Sequence, residues 1–112
     1  MTYVFKTQRN SWIHSIATLA VFGLAAWLEI SVVEWAIVIL TIGTVWTAEV
    51  VNTAIEVVVD LTSPQKHPLA KISKDVAAAA VLFSAVFALI IGILILGYPL
   101  LQKINHLLLN IK

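Results

Sequence analysis

The sequence predicts an all-α membrane protein whose chain crosses the bilayer three times. Apolar residues make up 61% of the chain and charged residues 12%, with a mean hydropathy of +0.99. Soluble domains hold about 45–50% apolar and about 25% charged residues. The apolar residues gather into three long runs separated by short polar breaks. No backbone amide can stay unpaired in hydrocarbon, so such runs have to be helices. A length of 112 residues fits one domain. The net charge of +1, with no basic run, excludes nucleic acid as an expected partner. The absence of cysteine excludes disulfides and thiolate metal sites.

The first helix is expected over 12–28. A polar stretch from Met1 to Asn10, carrying Lys6 and Arg9, precedes it. A cleaved signal peptide is not expected, because two more apolar segments follow and no small-residue cleavage site stands out. Glu29 and Glu34 in "EISVVEW" flank a short connection. The second helix is expected over 33–61, longer than a hydrocarbon core of ~30 Å requires, so its C-terminal turns should leave the core. The segment "TSPQKHP" (Thr62 to Pro68) breaks the pattern with two prolines. The third helix is expected over 69–97, with Val76 to Leu96 as its spanning part and Gly97, Tyr98 and Pro99 as its stop.

Lys6, Arg9, Lys66, Lys71 and Lys74 fall on one side of this arrangement, and the positive-inside rule makes that side cytoplasmic. Lys103 and Lys112 then lie outside, against the rule. Residues 1–99 thus form a membrane domain and 100–112 a tail. In "PLLQKINHLLLNIK", Leu100, Leu101, Ile104, Leu107, Leu108 and Ile111 recur at helical spacing. That predicts an amphipathic interfacial helix, with a frayed terminus as the alternative.

The chemistry concentrates in "AEVVNTAIEVVVD", Ala48 to Asp60. Glu49, Asn52, Thr53, Glu56 and Asp60 share one face of a helix, since i+3, i+4, i+7 and i+11 return to the same side. A charged residue at bilayer depth costs at least ~2.5–3.5 kcal/mol on insertion scales. A polar packing seam accounts for an asparagine and a threonine, but it has no need of three carboxylates. The alternative is a carboxylate-lined site near the cytoplasmic surface. The segment "AKISKDVAAAA" adds Lys71, Lys74 and Asp75 ahead of small residues that allow close helix approach. The tight connection brings them near the Glu56 to Asp60 end of the stripe. Asp75 also fits a plain charged helix start, favoured by the macrodipole. Carboxylates beside lysine suit a magnesium-bound nucleotide, because Mg²⁺ binds through one or two carboxylates plus phosphate and lysine balances phosphate charge. There is no Walker loop, and His14 and His67 lack the i+4 partners of a helical zinc motif. His106 reads as interfacial, and the four tryptophans as interfacial or packing aromatics.

These two segments, "AEVVNTAIEVVVD" and "HPLAKISKDVAAAAVL", closely resemble the signature of the prokaryotic diacylglycerol kinase family, which includes undecaprenol kinases. The likeness extends from about Lys6 to Leu96. It implies a homotrimeric helical bundle with three transmembrane helices per chain and active sites at subunit interfaces. It implies a multi-pass protein of the bacterial inner membrane, with the active site on the cytoplasmic side. The implied reaction transfers the γ-phosphate of ATP, with Mg²⁺, to the hydroxyl of a membrane lipid, diacylglycerol or undecaprenol. By position, Glu49 would be the general base and Asn52 would orient the reacting groups. Glu56 would bind the metal. Asp60 and His67 would lie on the nucleotide side, with Lys74 and Asp75 around the phosphates.

Two departures from the family pattern stand out. Where the family carries a second metal-binding glutamate, in a pattern like E-R-N-F-x-x-H, this chain reads "QRNSWIH". Gln8 keeps an oxygen donor and loses the charge, so metal binding should weaken. The segment before that position is also short, about seven residues. A relative with the same fold and lost or altered activity is therefore one alternative. A small oligomeric transporter or assembly subunit, using the stripe as an ion path, is another.

Overall fold

The connection after the first helix shows how tightly the sequence turns the chain. The computed structural model describes residues 9–63 and 67–111. Helix α1 (Arg9–Leu28) ends in a Schellman arrangement: the Ile30 N–H donates to the Ala25 carbonyl and the Glu29 N–H to that of Ala26. Glu29 sits at φ 55°, the left-handed position usually given to glycine. Two residues later Ser31 caps α2 (Val32–Thr62). Its hydroxyl accepts from the Glu34 N–H at 3.2 Å, and the Glu34 carboxylate accepts from the Ser31 N–H at 3.1 Å. This capping box satisfies two orphan donors at once. So short a connection forces α1 and α2 to lie antiparallel. The Phe22 and Trp35 rings meet across them at 5.9 Å.

At 31 residues α2 is about 45 Å long, so it outruns a hydrocarbon core. Its buried residues are Val38, Val45, Glu49, Asn52 and Thr53, one helical stripe that is apolar in its first half and polar in its second. Helix α3 (Pro68–Ile111) begins with proline at its first position, where the missing N–H costs nothing. His67 caps it: the ring Nδ1 accepts from the Leu69 N–H at 3.1 Å. Helix α2 makes its broadest contact with α3. Ala77 on α3 is buried, and small residues of this kind let helices pack closely.

The stop expected at Gly97, Tyr98 and Pro99 does not occur. Helix α3 runs through Pro99 to Ile111, so the last residues continue the third helix instead of starting a separate one. Proline inside a helix removes one backbone bond and costs about 3 kcal/mol. The continuation has a tie to offset that. The Lys103 ammonium donates to the Trp27 carbonyl at 2.6 Å and lies 4.7 Å from the centre of the Trp27 ring. A cation at the carbonyl end of α1 also complements that helix's dipole. This places the lysine that runs against the charge rule on a carbonyl left open at the end of α1.

The described chain is thus all-helical, with three helices. Two of them, α2 and α3, are long and apolar enough to cross a membrane; the apolar stretch of α1, Trp12–Leu28, is shorter. Large apolar side chains such as Leu82, Phe83, Phe87 and Leu94 face outward. An apolar surface of this extent has to be covered by lipid or by another chain.

Candidate active site

A carboxylate is the most deeply buried large side chain among the described residues. Glu49 is 1% exposed. It lies on α2, three residues after Trp46, where the buried stripe turns from valine to polar groups. Its Oε2 is 3.5 Å from the Nε2 of His14 on α1. Thr53 folds its hydroxyl back onto the Glu49 carbonyl at 3.1 Å, satisfying itself within the helix. Asn52, 8% exposed, extends its Nδ2 toward the Glu56 Oε1 at 3.5 Å. Its Oδ1 is buried without a hydrogen-bond partner. Buried amide oxygens are rarely left so, and this one stays open to a donor or cation that the described chain does not itself supply.

The stripe continues to the end of α2. Asp60 is exposed and takes an ion pair from Lys74, which crosses over from the first turns of α3. Lys74 precedes the stretch expected to span, 76–96. Its hydrogen bond to Asp60 pushes its pKa above the ordinary lysine value; desolvation works against this, and the Asp60 and Glu56 charges work with it. The ammonium is therefore charged at neutral pH. Asp75 is exposed one residue further along α3, outside the Asp60–Lys74 pair. His67 is exposed and occupied as the cap of α3. Gln8 lies outside the described residues.

The structure therefore lines up Glu49, Asn52, Glu56 and Asp60 along α2 and adds Lys74 from α3. It also adds His14, for which the sequence reading found no role. Depth is the signal that could have found it. In a hairpin this tight, His14 lies about 21 Å before the end of α1 and Glu49 about 25 Å after the start of α2, so the two reach the same level.

Two cavities adjoin the stripe. One, of about 660 Å³, lies along α2 and α3 and is lined by Thr47, Ala48, Asn52, Ala77 and Ser84 among others. The other, of about 500 Å³, lies among all three helices, with His14, Thr18 and Trp46 in its lining and apolar side chains such as Val38 and Leu96 around the rest. Both walls are mostly apolar, and each includes one or more polar side chains of the stripe or its neighbour on α1.

Among the described residues, no three His, Cys, Asp or Glu side chains converge as a preformed metal cage. The donors present still fit magnesium arriving with a nucleotide. The Glu56 carboxylate and the unpartnered Asn52 Oδ1 are oxygen donors on one face, and Mg²⁺ commonly takes only one or two carboxylates, with waters and phosphates completing its shell.

Residues 1–96 match the sequence model of the family described as prokaryotic diacylglycerol kinase. The undecaprenol kinase of Bacillus subtilis is 47% identical over 90 residues, which cover 80% of this chain and 73% of that protein. A diacylglycerol kinase of Synechocystis is 46% identical over 103 residues; these cover 91% of this chain but 59% of that longer protein. The diacylglycerol kinase of Escherichia coli K12 is 32% identical over 95 residues, 79% of this chain and 78% of that one. With its carboxylate stripe and this similarity along most of its length, the chain belongs to the prokaryotic diacylglycerol kinase family of lipid kinases.

Proposed function

We propose that this protein transfers the γ-phosphate of ATP to the primary hydroxyl of a membrane lipid, diacylglycerol or undecaprenol. The observation that carries the reading is Glu49: a carboxylate 1% exposed, on a helix long enough to span, at the head of a polar stripe that ends in the Asp60–Lys74 pair. A buried carboxylate is costly, and a base for a lipid hydroxyl has to lie where the lipid is.

The residues divide the work by depth. Glu49 accepts the proton of the acceptor hydroxyl as its oxygen attacks phosphorus, the usual contribution of a positioned general base. Asn52 orients the groups between Glu49 and Glu56. Glu56, with the Asn52 Oδ1, would hold magnesium, and Gln8 is the further candidate ligand. Bound magnesium supplies charge neutralisation on the phosphate oxygens. Lys74 adds a cation at the aqueous end, where triphosphate charge has to be balanced, with Asp60 fixing its position. His67 and Asp75 stand on the same nucleotide side. Glu49 and Asp60 are eleven residues apart on α2, about 16 Å along its axis. That span suits a lipid hydroxyl at one end and a nucleotide in water at the other.

The same reading places three crossings in the bacterial inner membrane, with the site facing the cytoplasm by the positive-inside rule. It makes the assembly a homotrimer; the outward-facing apolar side chains of α3 are consistent with cover by lipid and neighbouring chains. The Asp60–Lys74 pair favours phosphate chemistry over an ion path, since it sets a cation at the mouth of the acidic stripe. The test is transfer of labelled γ-phosphate from ATP, with Mg²⁺, by the purified protein in vesicles containing diacylglycerol, undecaprenol or neither. Label in an extracted lipid is the expected result. No labelled lipid with either acceptor would overturn the reading.

A further inference from the structure

We propose that His14 is a positioning residue for Glu49, holding one carboxylate oxygen so that the other faces the acceptor hydroxyl. The inference rests on the lipid-kinase reading and on Glu49 as its base.

The two side chains come from different helices and meet in the interior, with Nε2 3.5 Å from Oε2 and side-chain exposures of 22% for His14 and 2% for Glu49. A glutamate side chain has three rotatable bonds, and nothing about its own helix selects the rotamer that puts an oxygen on a substrate. An N–H aimed at one oxygen does select it. The 3.5 Å separation is longer than a formed hydrogen bond. Contacts of this kind are commonly loose before substrate binds and tighten afterwards.

His14 is itself held in place. The Thr18 hydroxyl donates to the His14 carbonyl at 2.7 Å, and the Trp46 Nε1–H donates to the Thr18 hydroxyl at 3.0 Å. The Trp46 ring also packs against the imidazole, with centroids 6.0 Å apart and planes at 58°. Trp46 lies three residues before Glu49, on the same side of α2. The turn that carries the base therefore also fixes the turn that carries the imidazole. A histidine serving only to fill space would need neither the ring contact nor the threonine relay. In addition, His14 lines the 500 Å³ apolar cavity among the helices.

The transfer leaves the imidazole chemically unchanged. The acceptor O–H bond breaks and its proton goes to the Glu49 Oε1. An O–P bond forms at the γ-phosphorus, and the bond from that phosphorus to the bridging oxygen breaks, its electron pair leaving with ADP. Throughout, His14 keeps its Nε2–H on Oε2.

The side-chain amide distinguishes orientation from bulk. The amide nitrogen of glutamine reaches the place of Nε2, and that of asparagine reaches the place of Nδ1. Kinetics of the full chain in lipid vesicles are compared for the parent, His14→Gln, His14→Asn and His14→Ala. Losing a hydrogen bond to a charged group should lower kcat ~10–100-fold in His14→Ala and His14→Asn, with the KM for ATP within about twofold and His14→Gln within about threefold of the parent. A second readout needs no turnover: the imidazole nitrogen resonance of His14 should move in Glu49→Gln. Equal rates in His14→Asn and His14→Gln, an unaffected His14→Ala in an active parent, or an unmoved resonance would overturn the positioning role alone. A parent inactive on every lipid would overturn the underlying reading instead.

Discussion

Replacing Glu49 by methionine should make the protein more stable and nearly inactive. The carboxylate is 1% exposed, and among the described side chains its charge is met by one imidazole at 3.5 Å. Moving a carboxylate from water to such a place costs several kcal/mol, and an attraction at that distance returns only part of it. Substituting well-packed apolar groups for buried ion pairs is often neutral or stabilising, by ~1–4 kcal/mol. Methionine matches glutamate in length and flexibility, and the His14 side chain it leaves behind is 22% exposed, so its ring is not shut away without a partner. We therefore expect Glu49→Met to unfold at higher denaturant by ~1–4 kcal/mol, while general-base loss lowers turnover ~10²–10⁴-fold. The opposite replacement, His14→Leu, removes the described side chain that faces the carboxylate and should destabilise the protein. Unfolding in mixed micelles, followed by far-UV circular dichroism, measures both. If Glu49→Met is the destabilised variant, Glu49 is retained for the fold, and the reasoning from its burial to its function fails.

Three further outcomes follow from the same geometry. Lys74→Ala should raise the KM for ATP ~10-fold or more through the loss of a phosphate-facing cation, with an unchanged melting temperature, because the Asp60–Lys74 pair is exposed; a fall in melting temperature without a change in KM would assign Lys74 to structure. Gln8→Glu should lower the Mg²⁺ concentration for half-maximal rate several-fold, roughly 3- to 10-fold, by restoring a charged oxygen donor; an unchanged requirement would remove position 8 from the metal shell. Pro99→Ala should stabilise α3 by up to ~3 kcal/mol, because it restores the backbone bond to the Ile95 carbonyl in a helix that runs through this position; a neutral or destabilised variant would mean that the chain breaks there.

The sequence carried the helical class because apolar runs this long have only one way to pair their backbone in lipid. It also carried the polar face of α2, since Glu49, Asn52 and Thr53 return to one side of a 3.6-residue helix and are the polar residues buried among those described. The course of the chain past Pro99 was hidden for a physical reason. Proline is a local stop signal, and the contact that offsets it joins Lys103 to Trp27, 76 residues away in the chain. The partnership of His14 with Glu49 was hidden in the same way, because no local period relates residues on two helices. His67 shows a third kind of limit. Serine, threonine, aspartate and asparagine are the expected caps, so nothing in the sequence marks the histidine in front of "PLAK" as the group that also closes the first turn of α3.

The most direct test of the central claim compares the parent with Glu49→Gln in vesicles containing ATP, Mg²⁺ and an acceptor lipid. The substitution keeps the size and polarity of the side chain and removes only its capacity to take a proton. Phosphorylated lipid formed by the parent, and ~10²–10⁴-fold less by the variant at similar protein stability, is the result this account predicts. Equal turnover by the two proteins would contradict it.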